Sequence, residues 1–390
     1  MAKLINLTVF KKFSESSSFG GILLLLCVAL SLVIANTGLA SGFQDLLESE
    51  IGFSTDAIHL NYPLLIWIND GLMAIFFLLV GLEIKREIVE GELSSFQHAA
   101  LPVLAAIGGV IVPAVIYALF NTGTTTANGW GIPMATDIAF ALGILSLLGS
   151  RVPTGLKIFL AALAIVDDLM AILVIAIFYS AELHLDYLAY AGGIFALQIA
   201  FNRLGFKNIF FYIIPGIVMW YFIHHSGIHA TIAGVLTALT LPTTADATES
   251  PLEKLEHALA KPVNYLIMPI FAIANTNITF ESGMVSGLTG NVGLGIVLGL
   301  FLGKPLGIFL MSWLSVKLKV AALPDETNWI HVAGLGLLGG IGFTMSIFIA
   351  LLSFGGHALQ TEAKFAVLVA SVLSGVAGYG LLSVYNKRRA

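Results

Sequence analysis

Two adjacent aspartates sit near the middle of an apolar run of bilayer length. The run is Lys157 to Ser180, KIFLAALAIVDDLMAILVIAIFYS, and the acids are Asp167 and Asp168. A carboxylate at the centre of a membrane helix costs about 2.5–3.5 kcal/mol on insertion scales, and a neighbouring acid adds repulsion. A pair this costly is expected to serve function rather than packing. Holding a small cation and protons in turn is the use that fits.

The surrounding chain suits a membrane setting. Of 390 residues, 58% are hydrophobic and only 11% charged, and the mean hydropathy is +0.95. Soluble domains carry about 25% charged residues. At roughly 30 residues per span and loop, about a dozen helices are expected in one integral domain, residues 1–390. The net charge of −5 matters less than where the charges lie. The single cysteine, Cys27, excludes an internal disulfide and a multi-cysteine metal site. The start of the chain reads as a polar lead into a first membrane helix rather than a cleaved signal. No GxxxxGK[ST] motif is present, which argues against ATP as the energy source. No nucleic-acid partner and no resident cofactor are expected.

Apolar runs place helices near 19–36, 64–84, 99–120, 129–149, 156–180, 186–202, 209–222, 228–242, 259–276, 292–315, 329–354 and 365–385. Lysine and arginine placement tests this division. With the N-terminus inside, all but two of the 18 fall in inner segments, from Lys3, Lys11 and Lys12 through Lys85 and Arg86 to Lys387, Arg388 and Arg389. The exceptions are Lys364, outside, and Lys304, within a helix. This predicts a multi-pass protein with both termini cytoplasmic. Trp67, Trp130, Trp220, Trp313 and Trp329 fall near helix ends, where interfacial anchors belong. The outer loop 37–63 carries acids and no lysine or arginine, and it has room for a small hairpin. The inner loop 243–261 reads as a solvated connector.

Two runs are interrupted. The fourth has Gly131 and Pro133 just before Thr136 and Asp137. The eleventh has Gly334, Gly336, Gly339, Gly340 and Gly342 before Thr344. Close packing alone could explain the glycines. Interrupted helices in both halves of a chain also mark transporter sites built on inverted repeats. In the tenth run Gly295, Gly299, Gly303 and Gly307 recur every four residues, a stripe that lets another helix approach.

The mid-membrane ionisable set is Asp137, Asp167, Asp168 and Lys304, a net charge of −2 when ionised. Two protons would neutralise it, and one Na⁺ would leave it negative. Exchange of the two would then move charge and answer to membrane potential. Hard cations prefer oxygen, which carboxylates, the Thr136 hydroxyl and unwound carbonyls supply. Asp167 and Asp168 point about 100° apart on a helix, so the spacing leaves open which faces a crossing helix. Asp137 can serve electrostatically at a helix break, and Lys304 can answer a helix end or pair with an acid. Asp70 reads as a capping or packing acid. His229 reads as a core histidine. Other function classes remain in view: a Na⁺- or H⁺-coupled symporter of an organic solute, and an intramembrane aspartyl protease. No mid-membrane arginine is present to clamp an anionic solute, and the splay of the acid pair is against shared-proton protease chemistry.

Several stretches carry a resemblance. They are WINDGLMAIFFLLVGLEIKREIVEGEL, IPMATDIAFALG, KIFLAALAIVDDLMAI, SGIHATIAGV, LEHAL, FLGKPLGI and GGIGFTMSIFIA. In these the chain closely resembles the NhaA-type sodium/proton antiporter family. The resemblance implies an all-α membrane protein of twelve transmembrane helices with inverted-topology repeats. Its two broken helices would cross at mid-membrane. It further implies electrogenic export of Na⁺ or Li⁺ for H⁺ across a bacterial inner membrane, switched on at alkaline pH, by a transporter and not an enzyme. By the same resemblance Asp167 and Asp168 carry the ions, Thr136 and Asp137 mark the fourth-helix break, and Lys304 is the tenth-helix lysine. A pH-sensing group maps onto Glu83, Arg86, Glu87, Glu256 and His257, with His229 a further pH-linked position. A homodimer formed through loop 37–63 is implied as well. The sequence departs from the family after LEHAL, where Ala260, Lys261 and Pro262 stand, and at Glu253. Both departures lie beside the implied sensor and put its pH range in question.

Overall fold

Each of the twelve apolar runs is met by helical backbone in the computed structural model. It describes residues 7–56, 58–180, 182–244, 249–281 and 283–387, with side chains from Gly20 onward except Ser150. Lys3, Arg388 and Arg389, and residues 245–248 of the inner loop, lie outside the described residues.

The order is α1 (Leu7–Ala35), α2 (Ala40–Glu48), β1 (Glu50–Ser54), β2 (His59–Pro63), α3 (Leu64–Val89) and α4 (Phe96–Asn121). A 3₁₀ segment (Ala127–Met134) leads into α5 (Ile138–Leu147), followed by α6 (Thr154–Phe178), α7 (Leu185–Arg203), α8 (Phe210–His224), α9 (Ile232–Thr240) and α10 (Pro251–Asn275). The last are α11 (Met284–Gly287), α12 (Asn291–Lys317), α13 (Trp329–Gly339), α14 (Phe343–Ser353) and α15 (His357–Lys387).

Among the described residues, 7 helices are long and apolar enough to cross a membrane, or up to 9 if each bent pair is one span. One bent pair is α13 with α14, which meet at 45°. The other is residues Gly20–Ala35 with α2, at 108°. The difference from twelve lies in the middle of the chain. There α8 has 15 residues and α9 only 9, while α7 reaches a spanning length with more polar content. The exposed apolar side chains fit a lipid solvent: Leu119, Ile177 and Val376 are among many that face outward.

Two compact units can be told apart. The first comprises Met1–Leu26, Ser95–Ala171 and Glu281–Ala390, and the second Cys27–Ser94 and Ile172–Phe280. In the first, α4 packs along the glycine stripe of α12. A Cβ on Gly307 would lie 2.0 Å from the Gly108 carbonyl oxygen, and one on Gly108 would lie 2.2 Å from that of Gly307. The backbones therefore touch, which is the approach that the four-residue spacing predicts. Higher up the stripe Gly303 meets Pro113 and Gly299 meets Pro133.

In the second unit, α3 and α9 make a similar contact. Gly234 faces the Ala74 carbonyl, and Gly81 faces Ala238. The outer loop that had room for a hairpin contains one: β1 and β2 pair antiparallel, from Glu50 opposite Pro63 to Ser54 opposite His59. Trp67 donates to the Ile51 carbonyl at 2.8 Å and ties the hairpin to the start of α3.

Among the described residues three helices contain a π turn: Trp67–Leu72, Val263–Ile267 and Gly299–Gly303. Two of them adjoin a proline, Pro262 or Pro305. Proline has no N–H to donate, so the ladder there is already interrupted and an extra residue is easily accommodated.

Candidate functional site

The site residues of the first unit gather where two broken segments meet. The first segment stops at Met134, because Ala135 is extended (φ −89°, ψ 147°), and helix resumes only after Asp137. The second stops at Gly339 and resumes at Phe343. Each break exposes carbonyls at one helix end and N–H groups at the next, and buried groups of this kind need partners.

Asp137 answers both N-terminal ends. One carboxylate oxygen accepts from the Phe140 N–H at 3.1 Å and caps α5. The other accepts from the Thr344 N–H at 3.1 Å and from the Thr344 hydroxyl, at the start of α14. A single carboxyl group thus sits against two positive helix ends. Its own N–H donates to the Ile341 carbonyl at 2.7 Å. These contacts place Asp137 at the break, where the sequence reading considered an electrostatic role for it.

The carbonyl ends are answered by three donors. Thr136 gives its hydroxyl proton to the Gly339 carbonyl at 2.8 Å. Ser346 gives its own to the Ile132 carbonyl at 2.7 Å. Lys304 donates to the Met134 carbonyl. Lys304 also donates to Asp167 Oδ2, and neither side chain is exposed. The two alternatives left open for this lysine, a helix end and an acid, are both realised at once. The π turn ending at Gly303 precedes it directly, and its N–H bonds five residues back to Gly299.

Asp167 is the acid that faces the crossing helix. One of its oxygens is held by Lys304. The other, Oδ1, is buried without a hydrogen bond of normal geometry, beside Thr136. An ionised oxygen left so is unfavourable, and a proton or a small cation would relieve it. Asp168 is 2% exposed and lies within electrostatic reach of Lys304. Ala164 and Ala171, which border both acids, are fully buried. Among the described residues no three His, Cys, Asp or Glu side chains converge on a metal position.

The implied pH-sensing residues fall into separate groups within the second unit. Arg86 is the hub of one. Its Nε lies 3.0 Å from Glu256 and its Nη1 2.8 Å from Glu87. Glu83 is within electrostatic reach of all three. His257 is exposed and bonds Glu249 at 3.0 Å. Glu253 is occupied otherwise: it closes a capping box with Ser250, accepting from the Ser250 N–H at 2.7 Å. This departure from the family pattern therefore caps α10 and takes no part in the Arg86 group.

His229 belongs elsewhere. It lies 3.5 Å from one oxygen of Asp70, whose other oxygen is 3.0 Å from His224. His224 stacks on Trp220, which stacks on Trp67. Asp70, read from the sequence as a capping or packing acid, thus joins two imidazoles. The sequence reading missed His224, Ser346 and the carbonyls of Ile132, Met134 and Gly339. Thr344, which follows the glycine break as Thr136 follows the other, carried the available signal.

Comparison with known proteins decides the relationship. The profile described as Na⁺/H⁺ antiporter 1 matches residues 11–382.

The chain belongs to that family.

It is 73% identical over 390 residues to the Na(+)/H(+) antiporter NhaA 2 of Flavobacterium johnsoniae, covering 100% of this chain and 96% of the relative. It is 50% identical over 371 residues to the Na(+)/H(+) antiporter NhaA of Flavobacterium psychrophilum, covering 95% and 94%. The NhaA of Caulobacter vibrioides is 49% identical over 394 residues, with 100% and 94% covered. Family membership makes this a multi-pass membrane antiporter and a transporter rather than an enzyme.

Proposed function

We propose that this chain exchanges Na⁺ for H⁺ across a bacterial inner membrane, acting over residues 1–390 as one transport domain. The observation that carries the proposal is Asp167, fully buried, with one oxygen on Lys304 and the other beside Thr136. In this reading Asp167 and Asp168 take the cation when deprotonated, with Thr136 as a further oxygen ligand. Cation binding displaces Lys304 from Asp167. Asp137 holds the two helix N-termini in place, and the broken segments move together to change the side of access. Protons then displace the cation and the protonated form returns.

The finer features of the proposal rest on the family. They are twelve spans with inverted repeats, both termini cytoplasmic, and transport of Li⁺ as well as Na⁺. Regulation by pH involves Glu83, Arg86, Glu87, Glu256 and His257, with His229, and a dimer forms through residues 37–63. The four charges at the site support electrogenic exchange. Two protons neutralise a set that one Na⁺ leaves at −1, so each cycle moves net charge inward when the interior is negative.

The test uses proteoliposomes with a trapped pH-sensitive dye. Addition of Na⁺ should dissipate an imposed pH gradient with the unaltered protein and fail to do so with Asp168→Asn. Equal dissipation by both would remove the ion-carrier role.

A further inference from the structure

Ser346 is used by nothing in the proposal so far. It is fully buried on α14, and its hydroxyl crosses to the other broken segment to reach the Ile132 carbonyl at 2.7 Å. That carbonyl stands two residues before Met134 in the last turn of the 3₁₀ segment. The turn has no helical donor beyond it: Ala135 is extended, and the Asp137 N–H is spent on Ile341. Its orientation therefore depends on groups brought from outside. Ser346 and Lys304 are two such groups, one on Ile132 and one on Met134. Thr136 makes the return contact, giving its hydroxyl to the Gly339 carbonyl. The two broken segments thus exchange one hydroxyl each, and each hydroxyl holds the end of the partner's first half.

We infer that Ser346 is a positioning residue for the exchange reaction. It fixes the end of the 3₁₀ segment so that the Met134 carbonyl stays aimed at the Lys304 ammonium. This inference rests on the reading of Asp167 as ion carrier.

The consequence follows from competition. Lys304 divides its hydrogen bonds between Met134 and Asp167. When the Met134 carbonyl swings away, the ammonium leans on Asp167 alone. An incoming cation must then displace a more tightly held lysine, so its affinity falls. The rate once the cation is bound is set by the movement of the segments and is little altered. A purely structural role for Ser346 would behave differently, lowering the amount of folded protein and the maximal rate without a selective effect on cation affinity.

The experiment measures Na⁺-driven exchange against Na⁺ concentration in proteoliposomes. Ser346→Ala should raise the KM for Na⁺ by about threefold to tenfold, the range expected for one lost hydrogen bond. The maximal rate should stay within about twofold of that of the unaltered protein. Ser346→Thr, which keeps the hydroxyl, should restore the KM. Three results would overturn the inference: an unchanged KM in Ser346→Ala, a fall in maximal rate at unchanged KM, or failure of Ser346→Thr to rescue. Asp168→Asn in the same vesicles separates this outcome from the underlying reading. Its inactivity upholds the carrier role whatever Ser346 does, and its full activity sinks both.

Discussion

At the scale of the residue, charges at the site are matched to helix ends as much as to one another. Asp137 serves two N-termini and Lys304 serves a C-terminus and an acid. Each N-cap is worth about 0.5–2 kcal/mol, so Asp137→Ala should cost about 1–4 kcal/mol of stability. Asp137→Asn keeps acceptors and should cost less. Melting curves of the purified protein in detergent would read the order, and equal melting temperatures would count against the double cap. Competition between Na⁺ and protons gives a second expectation. If one proton must leave before the cation binds, the KM for Na⁺ should fall about tenfold per pH unit as pH rises, until the group is fully deprotonated. Initial exchange rates at several pH values would show it, and a KM independent of pH would contradict shared occupancy. The acid pair, the broken-segment residues and Lys304 could all be read from the sequence, because charge at bilayer depth is rare. Which acid meets Lys304 could not, since adjacent positions on a helix differ only in direction. Backbone carbonyls such as Met134 leave no trace in a one-letter code, and neither does the pairing of Asp70 with His224 and His229. That pairing joins residues more than 150 positions apart.

At the scale of the element, glycines set how closely helices approach. The touching backbones of Gly108 and Gly307 leave no room for a methyl group. Gly307→Ala should cost about 1–3 kcal/mol, the usual penalty for overpacking. Gly380→Ala on α15 should be close to neutral, because nothing lies within 4 Å of its Cβ position. Thermal stability of the two variants side by side is the check. The glycine stripe was legible because its four-residue period is a property of one helix. Its partner, α4, was not, since nothing in the spacing names the opposing surface. The π turns were hidden for a related reason: Pro262 and Pro305 advertise an interruption but not how the ladder absorbs it. The middle helices α7, α8 and α9 were legible as helices, but their short or more polar runs leave the number of crossings to the family.

At the scale of the whole molecule, the expected charge movement can be measured. An inside-negative potential of 100 mV contributes about 2.3 kcal/mol for each net charge carried in. Imposing it with a potassium gradient and ionophore should drive Na⁺ out of vesicles that hold no Na⁺ gradient. An electroneutral exchanger would not respond. The hairpin offers a separate test. If residues 37–63 make the dimer, deleting the paired strands should leave a monomer by native mass spectrometry with exchange activity still measurable. A dimer that survives the deletion would place the contact elsewhere. The double cap at Asp137 also bears on how such a chain is made. Its second helix start, at Thr344, lies 207 residues further along. At the ordinary pace of translation, about 5–20 residues per second, the nascent first segment waits about 10–40 seconds with one oxygen of Asp137 and its end carbonyls unanswered. Insertion factors and quality-control proteases would meet the newborn transporter in that interval, and truncations that end before α14 should be cleared rather than accumulate.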